Sequence, residues 1–391
     1  MTRTSLVAFA LFLLVALAIP AQMRDDGSWL QPRPPAAVDD PPGTKLKEFN
    51  LPTPRMHGLT TIGDRFYGCY QTSSTQTDIY ELDPNTGGIK ATIALSGYAT
   101  GGWPYGLGYD LRRNEFVLSD TGGNTRGIYR ADITGRITTY VQTPGEGNVG
   151  AAYDPHRDGY WICAWNLNTL KLYDAKNLPA VLMTIDLAAV SCTSSAGVAF
   201  SAINDVVYVN SRGTGKGFVF DAGTGKLLLS YSGVSSGYGS MWLDRWQCPV
   251  VVEEGLKKIT FKDAGYPRVD ATNRVQVGKT LAINWKAGSS PSKYYKGAAA
   301  LAERMAGIRF GNRYLPLQLD GLFFASIQLP TVFRNFEGVL DTSGMATGAV
   351  NVPNVPALAG FPFSIAWVTV DAGAPYGIQA ISGPWKVGIT K

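Results

Sequence analysis

Five segments of the chain open in the same way, and this repetition limits the possible folds more than any other feature. Each carries Gly at its second position, at the head of a short apolar strand: HGLTTIGD from His57, YGLGYDLR from Tyr105, VGAAYDPH from Val149, AGVAFSAI from Ala196 and YGSMWLDR from Tyr238. A tight turn leads each into a second strand: RFYGCYQ, EFVLSDT, YWICAWN, VVYVNSR and PVVVEEG. A third strand then ends in Asp, at Asp83, Asp132, Asp174, Asp221 and Asp263. Four of these run on through a turn (DPNTGG, DITG, DAKN or DAGTGK) into a fourth strand, whereas the fifth unit breaks off after DAG. Four strands in about 40–50 residues make one blade of a β-propeller. The recurrent Asp fits turn chemistry, its side chain capping the backbone of a hairpin whose Gly takes positive φ.

The fifth unit lacks an outer strand, and KLKEFNL (Lys45 to Leu51) lies just before the first unit. That segment is expected to complete the last blade and close a five-bladed ring, which removes the open edges an unclosed array would present. From about residue 270 the repeat stops. Alternating or apolar stretches separated by Gly, Pro and Ser turns follow, among them VQVGKTLAINWKAG, LPLQLDGLFFASIQL, FPFSIAWVTVD and GPWKVGIT. They read as a β-sandwich; AALAERMAGIRF is another of its strand candidates, with AAALAERMA (Ala298 to Ala306) open to a short helix instead. The fold class is therefore all-β, a five-bladed β-propeller over 45–268 followed by a β-sandwich over 269–391. Composition agrees: charged residues are 17% of the chain, aromatics 11%, and there are 45 Gly.

The first residues set the expected compartment. Arg3 precedes an apolar run from Leu6 to Ile19, and Ala16, Ala18 and Ala21 offer small residues for cleavage. That run is shorter than the roughly 20 residues of a membrane span, so 1–23 reads as a secretory signal peptide, giving a secreted, cell-surface or periplasmic protein. Residues 24–44 are rich in Pro and Asp and read as a linker. The mature chain is expected to have no membrane span. The net charge of +5 is spread without a basic block, which argues against nucleic acid.

The repeat also places residues in space. The residue before each repeat Gly (His57, Tyr105, Val149, Ala196, Tyr238) should ring the axis at one end. The ends of the second strands (Gln71, Asp120, Trp165, Ser211 with Arg212, Glu253 with Glu254) should form a wider ring at the same end. Concave, loop-lined faces are where ligands bind. Trp103, Tyr105, Trp165 and Tyr238, with Gln71 and Arg212, are the candidate ligand-binding residues, able to stack on a sugar or cap an apolar ligand. His57, with Asp120 or Glu253, is the candidate acid–base group. No cofactor or metal site is evident. Cys163 and Cys192 fall at one end, so a disulfide between them is expected. Cys69 lies near that end and Cys248 at the other, which disfavours their pairing. In the sandwich, Phe323, Phe324, Trp367 and Trp385 are expected core, and Lys293 to Lys296 (KYYK) an exposed aromatic and basic surface.

The stretches GDRFYGCYQTSSTQTDIYELDPNTGGI and RDGYWICAWNLNTLKLYDAKN resemble the NHL-repeat and gluconolactonase-like propellers over roughly residues 45–265. HGLTTIGDRFYGCYQTS and CAWNLNTLKLYD also look like motifs of the five-bladed glutamine cyclotransferases. That resemblance implies catalytic Glu at two positions, where this chain has Gln71 and Val149, so the carboxylates for proton transfer are missing. Gluconolactonase-like enzymes hold a metal near the axis with acidic ligands, and the inner ring here offers none. The C-terminal part resembles sandwich modules of exported bacterial proteins. The expectation is a non-catalytic binding or interaction module for a glycan, small molecule or extracellular protein. The alternative is a lactonase-, cyclotransferase- or lyase-like enzyme at the same face.

Overall fold

The computed structural model describes residues 45–53, 56–63, 65–73, 76–84, 86–98, 102–122, 126–143, 145–233, 241–243, 249–253, 258–263 and 265–391. Residues 1–23 and 24–44, expected to be a signal segment and a linker, and Tyr238, Glu254 and Cys248 lie outside the described residues. The chain divides into two compact units, one holding the described residues from 45 to 263 and the other residues 265–391.

The first unit consists of five four-stranded antiparallel sheets. Blade one runs from the inside outward as Met56–Ile62, Arg65–Ser73, Gln76–Leu82 and Ile89–Ala94. Blade two is Pro104–Asp110, Glu115–Asp120, Gly127–Asp132 and Ile137–Gln142, and blade three Asn148–Asp154, Gly159–Ala164, Thr169–Asp174 and Val181–Asp186. Blade four is Ser195–Ser201, Val206–Ser211, Lys216–Asp221 and Leu227–Ser232. Blade five takes Met241–Leu243, Pro249–Glu253 and Lys258–Lys262 from one end of the unit and its outermost strand, Lys45–Asn50, from the other. The inner strands touch in circular order, and that of blade five meets that of blade one, so the ring is closed.

The N-terminal strand is held by more than its ladder. Phe49 packs edge-on against Phe261, ring centroids 5.5 Å apart. A Cβ on Gly87, in the outer turn of blade one, would come within 2.9 Å of the Phe49 ring. Glu48 accepts from Lys258 at 2.5 Å and Lys45 at 2.7 Å, and these ammonium groups hold its carboxyl down at about 2.

The repeat Gly has a steric cause. A Cβ on Gly58 would lie 2.5 Å from the Leu107 nitrogen, one on Gly106 2.5 Å from that of Ala151, and one on Gly150 2.6 Å from that of Val198. Each inner strand presses its neighbour's backbone so closely that only hydrogen fits. Away from the axis the blades separate and aromatic and aliphatic side chains fill the gaps. Tyr67, Phe116 and Tyr129 pack between blades one and two, and Trp161, Leu172 and Phe218 between three and four. The expected turn chemistry holds at the outer hairpins. Asp83 accepts from the Thr86 nitrogen, Asp132 from those of Thr134 and Arg136, Asp174 from Lys176 and Asp221 from Thr224.

A second repeated device was not read from the sequence. In blade two, Asp110 binds Arg113 at 2.7 Å, and Arg113 reaches across to Asp158 of blade three with contacts of 2.7 and 3.1 Å. In blade three, Asp154 binds Arg157 at 2.8 Å, and Arg157 reaches Asp205 of blade four with contacts of 2.6 and 2.8 Å. Asp158 and Asp205 both stand at positive φ just before a second strand, a conformation Asp tolerates. Bidentate, mostly buried pairs of this kind fix orientation as well as adding energy.

The second unit is a sandwich around the buried Trp285, Trp367, Tyr295, Phe336, Ile365 and Val387. One sheet orders Arg268–Ala271, Thr280–Lys286, Met345–Asn351 and Phe333–Arg334. The other orders Arg274–Gln276, Trp385–Thr390, Pro362–Val370, Tyr294–Ala300 and Glu337–Val339, with Ile378–Ile381 added to Pro362–Val370. AAALAERMA resolves as strand on both sides of a bend at Leu301 and Ala302, and one expectation is corrected: the helix is Gly321–Gln328, within a stretch read as strand. The Asp320 side chain caps that helix by accepting from the Phe323 nitrogen at 3.0 Å. Ala298 to Ala300 present so little side chain that the helix can lie on their strand, where Ser326 accepts from the Ala299 nitrogen at 2.9 Å. Phe323, Trp367 and Trp385 are core, but Phe324 is on the helix's open side and 50% exposed. In KYYK, Tyr294 and Lys296 are exposed as expected but Tyr295 is buried; Lys293 pairs with Asp371 and Lys296 with Glu337.

Gly150→Ala is expected to lower stability by about 3 kcal/mol in urea denaturation, because its methyl would meet backbone rather than a movable side chain. The Arg113 guanidinium holds the Asp158 carboxyl at about 2 in the folded protein, below the roughly 4 of a free Asp. Its contribution to stability is therefore complete above about pH 4 and lost as pH falls toward 2. Unfolding free energies measured across that window should fall less steeply with acid in Arg113→Gln than in the parent. Equal slopes would mean that Arg113 does not set this titration.

Candidate functional site

The axial end of the propeller is shaped by a β-bulge repeated in four inner strands. Pairing slips between Met56 and Leu59, Pro104 and Gly106, Asn148 and Gly150, and Ser195 and Gly197. His57, Tyr105, Val149 and Ala196 fall within these slips, and bulges re-aim side chains. His57, Val149 and Ala196 are buried and Tyr105 half-buried. The His57 and Tyr105 rings stack with centroids 4.2 Å apart and planes tilted by 30°. The two candidates are thus brought together, in a packed rather than an open arrangement.

Asp120 is fully buried, and donors surround its carboxylate. Tyr98 donates its hydroxyl at 2.6 Å, the Trp103 nitrogen donates at 3.0 Å, and the Gly122 nitrogen donates as well. Burial and the facing carboxylate push the Tyr98 phenol well above its ordinary range, so it stays a donor. A Cβ on Gly102 would fall 2.4 Å from Asp120 Oδ2. Gln71 is buried and donates to the Gly102 carbonyl at 3.4 Å. Asp120 and Gln71 therefore build the mount that carries Trp103, and the carboxylate's lone pairs are spent on that mount. The Trp103 side chain stands 51% exposed above it.

Trp165 is mounted by a different device. Its nitrogen donates to the Gly147 carbonyl at 3.0 Å, and Asn166 clasps the same loop by accepting from Gly147 and donating to the Gly145 carbonyl. A Cβ on Gly147 would lie 2.1 Å from the indole nitrogen, so the ring rests on that glycine while remaining 43% exposed. Glu146 in this loop, which sequence reading passed over, accepts from Lys171 and, at 2.6 Å, from the Tyr173 hydroxyl. It lies in a connection between blades, where the repeat gives no guide.

Arg212 is half-buried, with its nitrogen donating to the Ser194 carbonyl at 3.0 Å. Glu253 ends its strand in blade five, and its side chain lies outside the described residues. The expected disulfide is corrected. Cys163 and Cys192 are both buried free thiols at the same end, like the buried Cys69. Burial pushes the Cys163 and Cys192 thiols up to about 12. Among the described residues no group of three or more His, Cys, Asp or Glu is placed to hold a metal ion, and no helix is long and apolar enough to cross a membrane.

No protein-family model matches the chain, and no curated protein matches it. Among solved structures, virginiamycin B lyase from Staphylococcus aureus aligns over 56% of this chain and 69% of its own, with 14% identity and a TM-score of 0.38. A nidogen/laminin complex aligns over 53% and 79%, with 16% identity and a TM-score of 0.37. The β-propeller domain of Swd1 from Myceliophteria thermophila aligns over 52% and 68%, with 11% identity and a TM-score of 0.36.

Asp120→Ala should cost about 3 kcal/mol in chemical denaturation, since it strands a buried hydroxyl and two backbone donors at once. Asp120→Asn, which keeps acceptor capacity on one oxygen, should cost less. Equal losses would show that the carboxylate's volume, rather than its lone pairs, holds the mount.

Proposed function

We propose that this chain is an exported, non-catalytic binding protein whose ligand lies on the axial end of the propeller against Trp103 and Trp165. One contrast supports the reading. Two of the candidate acid–base groups are engaged by the architecture: Asp120 accepts from Tyr98, Trp103 and Gly122, and His57 is buried against Tyr105. The two tryptophans, in contrast, are exposed on tightly anchored backbone. A general base must reach its substrate's proton, whereas a binding surface needs large, rigid contact area. Export is proposed from the Arg3 and Leu6–Ile19 pattern alone.

A thermal-shift screen of glycans and metabolites against parent, His57→Ala and Trp103→Ala/Trp165→Ala chains tests this. Ligands that raise Tm for the parent and for His57→Ala, but not for the double Trp variant, with no product detectable by NMR, are expected. Turnover that His57→Ala abolishes would overturn the reading in favour of an enzyme.

A further inference from the structure

The exposure of the two rings, and the chemistry around them, narrows the ligand class; this step rests on the binding reading above. Trp103 and Trp165 belong to adjacent blades and stand at the same end of the propeller, each backed by its own loop and each about half open to solvent. Such rings offer one face. An apolar small molecule gains most when nearly all of its surface leaves water, which needs an enclosing cavity. A pyranose ring gains from a flat aromatic on one side only, because its C–H face is apolar while its hydroxyls are better left in water. The Trp165 ring rests on Gly147 and the Trp103 backbone is pinned by Asp120, which lowers the entropy cost of ordering the two rings on a ligand.

Charge narrows it further. Among the described residues, the ionisable side chains at the two mounts and their rims include Asp120 and Tyr98, hydrogen-bonded to each other, Arg126, which donates to the Thr121 carbonyl at 3.1 Å, and Glu146. Lys171 pairs with Glu146, and the Arg126 cation offsets the Asp120 carboxylate, so formal charge balances across the two mounts. We infer that Trp103 and Trp165 form a stacking platform for a neutral polysaccharide.

Native affinity electrophoresis tests this, with the full chain run through gels containing hydroxyethyl cellulose, laminarin, xylan or galactomannan. Alginate serves as a polyanionic control. Retardation in at least one neutral gel is expected, unchanged by added salt. Each of Trp103→Ala and Trp165→Ala should weaken it about tenfold, and the double variant should abolish it. Gly147→Ala, which keeps both rings but displaces the Trp165 indole from its seat, should weaken it about fivefold. Circular dichroism of each variant controls for folding. Retardation by alginate alone, lost in salt, would overturn the neutral-glycan class. So would no retardation in any gel while thermal-shift ligands still depend on the tryptophans, and that result would leave the binding reading standing. A double variant retarded like the parent would overturn both.

Discussion

Everything in the propeller depends on how closely its inner strands approach one another. At Gly58, Gly106 and Gly150 the next blade's backbone sits where a side chain would be. This close approach allows sheets of only four short strands to meet around an axis, and it forces neighbouring blades into one relative position. Larger side chains then fill the widening space between blades, with Trp161 and Phe218 in one gap and Phe116 and Tyr129 in another. The Arg113 and Arg157 bridges tie the far ends of the same strands, so blades two, three and four are linked at that end as well.

The parts of the fold that repeat were legible in the sequence. Gly at a fixed place, Asp at the end of a third strand and a missing outer strand together imply blades, turns and closure, because each follows from a local rule of backbone geometry. The sandwich has no repeat, and there local preference competed with packing. Ala298 to Ala300 favour helix but form a strand because small side chains make room for a helix above. The run through Leu322 and Phe323 favours strand but forms that helix because Asp320 caps it.

The site was legible as positions and not as roles. Register alone sends Asp120, Trp103, Gln71 and Trp165 to one end. Whether an acid there is free or engaged depends on what the connecting loops bring to it, and loops obey no period. Tyr98 and the Trp103 amide turn Asp120 from a candidate base into a structural anchor. The cysteines show the same limit: register brings Cys163 and Cys192 to one end, yet both are free thiols.

The strand from Lys45 to Asn50 has a consequence for the order of assembly. Lys45 pairs with Lys262, so the first strand of the ring to leave the ribosome docks on one of the last. Such distant pairing pays its loop-closure entropy before it gains any contact, which makes it a late event. Until then Phe49 has no Phe261 to meet and the outer edge of the fifth sheet stays open. Four blades can stack as they are synthesised, while the ring as a whole waits for its two ends. If the chain is threaded through a membrane unfolded, that final clasp belongs to the far side.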